Sequence, residues 1–216
     1  MAPSALALAA AALLLLCVLA RRADRFTLDH TRPVRSTLDA AAYRVHPSPD
    51  RGDTQAAADL LAAANARTIA LLRRLRARYV RGPAGAAFPA RRDATLRLLA
   101  RYNPDNLAEN SPQDPSGDTS YSLDKGAVIA LCLRDRASFG LHDLETLTFV
   151  TLHEMAHVAL EELDHPPRFW ATFRFLLEEA EAGRIYRSPD YARAPVTYCG
   201  VRIDHSPRWD PQIRPI

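Results

Sequence analysis

Residues 151–170 read TLHEMAHVALEELDHPPRFW, and they hold three histidines and a glutamate at spacings that chemistry can use. His153 and His157 are four apart, so on a helix both imidazoles leave one face about 5–6 Å apart and can share one tetrahedral Zn²⁺. Glu154 points partly off that axis. It is placed to act on the water that a metal would activate rather than on the metal, the general-base geometry of an H-E-x-x-H helix. A hydrolytic zinc site takes three protein ligands and leaves a fourth position open. Glu161 shares the histidine face, but eight residues beyond His153 it is about 12 Å along a straight helix. The third ligand must come after a turn, and Asp164-His165-Pro166-Pro167 is where a break is expected. His165 is therefore the expected third ligand.

Elements must hold these residues in place. Apolar positions at three- and four-residue steps (Ala57, Leu60, Leu61, Ala64, Thr68, Leu71, Leu72, Leu75 and Tyr79) predict a long amphipathic helix from Asp53 through Val80. Its arginines read as a solvated face, with a membrane-surface role as the alternative. A shorter helix is expected over residues 93–102, and NPDNLAENSPQDPSGDTS reads as a long surface loop. The runs flanking Asp124-Lys125-Gly126 predict an antiparallel hairpin. Helices follow over about residues 144–163 and from Pro167 to near Gly183, and VTYCGVRI suggests one short strand. The resulting fold class is α+β, helices plus a small antiparallel sheet.

At the N-terminus, ALALAAAALLLLCVLA contains no charge and is followed by Arg21, Arg22 and Arg25. This predicts a transmembrane anchor over residues 1–20, a tether over 21–52 and a catalytic domain over 53–216, with the domain cytosolic by the positive-inside rule. A cleaved secretory signal, leaving a secreted protein, is the alternative. The net charge is +3, with basic and acidic residues interspersed and Lys125 as the single lysine, so there is no strong electrostatic footprint for nucleic acid, which stays a minor alternative partner. Three cysteines, Cys17, Cys132 and Cys199, are too few for a disulfide framework. They read as buried thiols, or as a Cys132–Cys199 pair if the compartment is oxidising.

HEMAH with a following histidine and PPRFW resembles the zincin-type metallopeptidases of the WLM and SprT-like group. RYNPDNLAENSP, DTSYSLDKG, LCLR and YCG extend the likeness to WLM-like metallopeptidases of large DNA viruses and protists, over about residues 90–207. The resemblance implies a zincin-like minimal peptidase domain, zinc at His153, His157 and His165, Glu154 as catalytic base, and a hairpin strand lining the cleft. The expected function is zinc-dependent hydrolysis of peptide bonds in a protein or peptide substrate by a membrane-anchored enzyme. The alternative is a membrane-tethered module that holds zinc without turnover. Tyr186, Tyr191, Tyr198 and His205 are candidate oxyanion donors, and Asp164, Glu161 and Glu178 are candidates to orient a ligand imidazole.

Overall fold

The computed structural model describes residues 30–47, 52–113, 119–162 and 164–216. Seven strands and five α-helices occur among them. β1 (Arg32–Arg35) and β2 (Ala42–Val45) form a hairpin, followed by α1 (Thr54–Leu75), which continues into a π-helical segment over Arg76–Arg81. The short α2 (Ala84–Ala87) and α3 (Pro89–Arg101) come next. Then follow β3 (Leu107–Asn110), β4 (Tyr121–Leu123), β5 (Val128–Cys132), α4 (Leu144–Ala159) and α5 (Pro167–Ala182). A separate two-stranded hairpin, β6 (Val196–Tyr198) and β7 (Val201–Ile203), completes the described elements.

The main sheet has five strands in the order β1-β2-β3-β5-β4. It is mixed, which corrects the expectation of a small antiparallel sheet. β2 pairs with β3 and β3 with β5 in parallel, and only the β1–β2 and β4–β5 pairs are antiparallel. The physical reason is the helical crossover of α1 to α3 between β2 and β3, which returns the chain to the same end of the sheet. The strand that makes this sheet, β3, lies inside the stretch expected to be a surface loop. Its residues are all buried, including Glu109 at 0 % exposure. That carboxylate is tolerated because Arg134 donates from Nε at 2.8 Å and the His46 amide donates at 2.7 Å.

The expected transmembrane helix is likewise unsupported: no helix among the described residues is long and apolar enough to cross a membrane. The segment 1–20 on which that expectation falls lies outside the described residues. Part of the expected tether is sheet. Tyr43 and Val45 of β2 are 2 % and 0 % exposed, and the Tyr43 hydroxyl accepts from Asn65 on α1 at 2.8 Å.

α1 packs across β1, β2 and β3, while α4 packs against β4, β5, α1, α3 and α5. α4 is enclosed on nearly every side. Its start is set by Asp143, whose carboxylate accepts from the Thr146 amide and hydroxyl, both at 2.8 Å, with Glu145 in the first turn.

Candidate metal centre

His153 and His157 project from α4 as the four-residue spacing requires, and His165 reaches them from the turn before α5. The Nε2 atoms of His153 and His165 are 3.1 Å apart, and those of His157 and His165 are 3.2 Å apart. Four ligands at about 2.0–2.1 Å from one tetrahedral zinc are separated by roughly 3.3 Å. A neutral His165 Nε2 can donate at most one proton, so three ring nitrogens facing one point cannot satisfy each other fully, whereas a cation between them satisfies all three. The residues present fit a divalent metal. Burial, then the neighbouring His157 and His165, push the His153 pKa down to about 3. Burial, then His165 and Lys125, push His157 down to about 4, with Asp164 opposing. Burial also lowers His165. All three are held in the neutral form that ligates metal.

Three devices bring His165 into range. First, α4 stops at Ala159 rather than running to residue 163. Its last carbonyls are taken by α3: Arg97 Nε donates to the Ala159 carbonyl at 2.5 Å and Arg101 Nη1 to that of Val158 at 3.0 Å. Glu161, expected on the last turn of this helix, lies beyond its end, is ion-paired to Arg101 and does not line the cavity that holds the histidines. Second, the β4–β5 turn leans on the helix end. Asp124, Lys125 and Gly126 all have positive φ, and a Cβ on Gly126 would lie 3.2 Å from Val158. Lys125 Nζ from this turn donates to the Glu162 carbonyl at 3.1 Å. Third, Asp164 takes a left-handed conformation (φ 60°) and Pro166 an extended one, so the chain reverses before Pro167 opens α5.

Phe169, at 0 % exposure, supports the cluster. Its ring centroid lies 4.8, 4.3 and 4.5 Å from those of His153, His157 and His165. Trp170 flanks His165 at 5.6 Å. The aromatic pair read after the prolines thus limits how far each imidazole can rotate.

The histidines and Glu154 line a cavity of about 650 Å³ whose other wall is β4 with the residues just before it. Glu154 is 4 % exposed. Of the four oxyanion candidates, Tyr198 lines this cavity and the others do not. Tyr191 is packed behind Phe149 at 4.8 Å, Tyr186 lines a different cleft, and His205 sits against Trp170 at 5.7 Å and pairs with Asp210. The Tyr198 hydroxyl is 2.7 Å from Ser120 Oγ, which accepts from the Cys132 amide at 3.0 Å. Burial pushes the Tyr198 phenol well above its ordinary range, keeping it protonated. Asp164 also lines the cavity, whereas Glu178 is paired with Arg174 at 2.9 Å.

The chain resembles uncharacterized viral proteins. It is 45 % identical over 98 residues to one of Acanthamoeba polyphaga mimivirus, covering 45 % of this chain and 49 % of the relative. It is 36 % identical over 92 residues to one of Invertebrate iridescent virus 6, covering 41 % and 50 %. A third, from Invertebrate iridescent virus 3, is 42 % identical over 67 residues, covering 31 % and 42 %. The chain spans about half or less of the length of these curated relatives. No family model matches the chain, and no solved structure matches it significantly.

Cys132 and Cys199 form a disulfide, with their Cα atoms 6.2 Å apart. It ties the turn of β6–β7 to the end of β5. The Cys199 amide also donates to His142 Nε2 at 3.1 Å, and the His142 ring lies 4.8 Å from that of Tyr198. Sequence reasoning did not single out Ser120, Lys125, Phe149 or Ile203 as cavity residues. Ser120 and Lys125 belong to the hairpin that the resemblance set along the cleft, and Phe149 lies one turn before His153, whereas Ile203 offered no signal.

Proposed function

We propose that this chain is a zinc-dependent peptidase that hydrolyses peptide bonds with Glu154 as general base. The observation that carries the reading is the convergence of three imidazole Nε2 atoms, with spacings of 3.1 and 3.2 Å to that of His165, in the cavity that Glu154 lines. His153, His157 and His165 would hold the ion. Zinc, when bound, would supply Lewis acidity toward a carbonyl and would make water acidic enough to attack at neutral pH. Glu154 accepts the proton of the attacking water on its carboxylate and returns it to the leaving amine. Tyr198 lines the same cavity and its hydroxyl meets Ser120 Oγ at 2.7 Å, which supports it, among the four candidates, as the donor to the oxygen that becomes negative in the transition state.

β4 supports a peptide as the substrate class. It ends the sheet, with no strand paired to its outer edge among the described residues, and it forms one wall of the cavity. An extended peptide can add to such an edge by main-chain hydrogen bonds, which supports a peptide as the occupant of the cavity that β4 and α4 both line.

The test is paired. Purified chain should carry one zinc per molecule by plasma mass spectrometry and cleave casein or a peptide library. His165→Ala should lose the metal, whereas Glu154→Gln should keep it and lose cleavage by about 10²–10⁴-fold. Metal retention with no cleavage by the unmodified chain would instead favour a module that holds zinc without turnover. Absence of stoichiometric zinc would end both readings.

A further inference from the structure

The β6–β7 hairpin has two faces of opposite character. Val196 pairs with Ile203, Thr197 with Arg202 and Tyr198 with Val201. Side chains alternate along a strand, so Val196, Tyr198, Val201 and Ile203 share one face and Thr197 and Arg202 the other. The apolar face is the one turned to the metal-site cavity: Tyr198, Val201 and Ile203 line it, while Thr197 and Arg202 are exposed. Val201 nonetheless remains 50 % exposed. Phe149 and Val150, which line the same cavity, precede His153 and Glu154 by four residues and lie on the same helical face one turn earlier, toward the α4 start where the Cys199 amide of the hairpin bonds His142. The cavity therefore changes character along α4. The α4 residues that line it upstream of His153 are apolar, and beside His157 it meets the charges of Lys125 and Asp164.

We propose that the apolar end is a specificity subsite for a large aliphatic or aromatic side chain of the substrate, with Val201 and Ile203 as specificity-determining residues. This rests on the peptidase reading above. A leucine or phenylalanine side chain there covers the open face of Val201 and removes its own surface from water. Aspartate or lysine is excluded because it would be desolvated against Phe149 and Val150 without a partner. The wall is preformed rather than assembled on binding. A two-stranded hairpin is marginal alone, but this one is tied to β5 by Cys132–Cys199 and held by the Cys199 amide on His142.

The experiment measures equilibrium binding, by fluorescence anisotropy, to the zinc-loaded full chain carrying Glu154→Gln. The probes are labelled octapeptides in which each position in turn is Leu, Phe, Asp or Lys. At one position Leu or Phe should bind about tenfold or more tightly than Asp or Lys. Val201→Asp and Ile203→Asp should erase that ratio with zinc content and far-ultraviolet circular dichroism unchanged, while Arg202→Asp on the opposite face should preserve it. Equal affinities at every position, no binding of any peptide, or a preference that survives both variants would overturn the subsite. If the preference is present but the unmodified chain cleaves none of the peptides, the subsite stands and the peptidase reading falls. If the unmodified chain cleaves the peptides but shows no preference, the subsite falls and the peptidase reading stands.

Discussion

Phe169 carries more of the site than its chemistry suggests. A phenyl ring ligates nothing, yet this one touches all three histidines from a position with no solvent exposure. Phe169→Ala should cost about 3–5 kcal/mol of unfolding free energy in urea, through lost burial and the cavity left behind. It should also weaken zinc binding, because imidazoles free to rotate must be ordered by the metal itself. Phe169→Leu, which keeps most of the volume, should lose much less of both. Glu109 makes the opposite case. Its partner Arg134 is 4 % exposed and bonded to Asp53 as well, so Glu109→Ala leaves a buried guanidinium undercompensated. A loss of about 3 kcal/mol is expected by denaturant titration.

Elements decide where these residues meet. α3 is remote in sequence from the histidines, yet Arg97 and Arg101 end α4 by taking its terminal carbonyls. Removing Arg101 should let the segment before His165 fray, and zinc affinity measured against a chelating dye should fall about 10- to 100-fold, as for other groups that orient ligands. The β6–β7 hairpin depends on its staple in the same way. Cys132 and Cys199 are 67 residues apart, and a loop of that size makes the bridge worth about 4 kcal/mol in the chain-entropy account. The double Cys→Ser variant should lose stability of that order and weaken apolar-peptide binding, while retaining zinc because no ligand lies on the hairpin.

For the protein as a unit, stability should depend on pH through buried imidazoles. Burial, then the charges of Arg134 and His30, push the His46 pKa from 6.5 down to about 4. Below about 6.5 the unfolded chain takes up a proton that the folded chain refuses, so the contribution is whole above that pH and is lost as pH falls toward 4. The metal-free chain should show a denaturation midpoint that declines across this window, and His46→Phe should flatten part of the decline. A bridge of this kind persists in oxidising surroundings and is reduced by cytosolic thiols. Thiol titration of unfolded protein, before and after a reductant, should show two further reactive cysteines after reduction.

Short-range constraints were legible in the order of residues. The four-residue spacing of His153 and His157, the prolines that end one helix and open the next, and the turn at Asp124-Lys125-Gly126 are all written in neighbouring positions. They carried the main helices, the β4–β5 hairpin and the break that precedes His165. Features that depend on partners far along the chain emerged only when the chain was folded. β3 reads as a loop because Asn, Asp, Glu and Pro surround it, and it becomes a buried strand only when Arg134 and the His46 amide meet Glu109. Tyr198 could not be told from Tyr186 or Tyr191 by sequence, since all three are buried tyrosines. The disulfide and the Ser120 hydroxyl, both long-range contacts, turn that one toward the cavity.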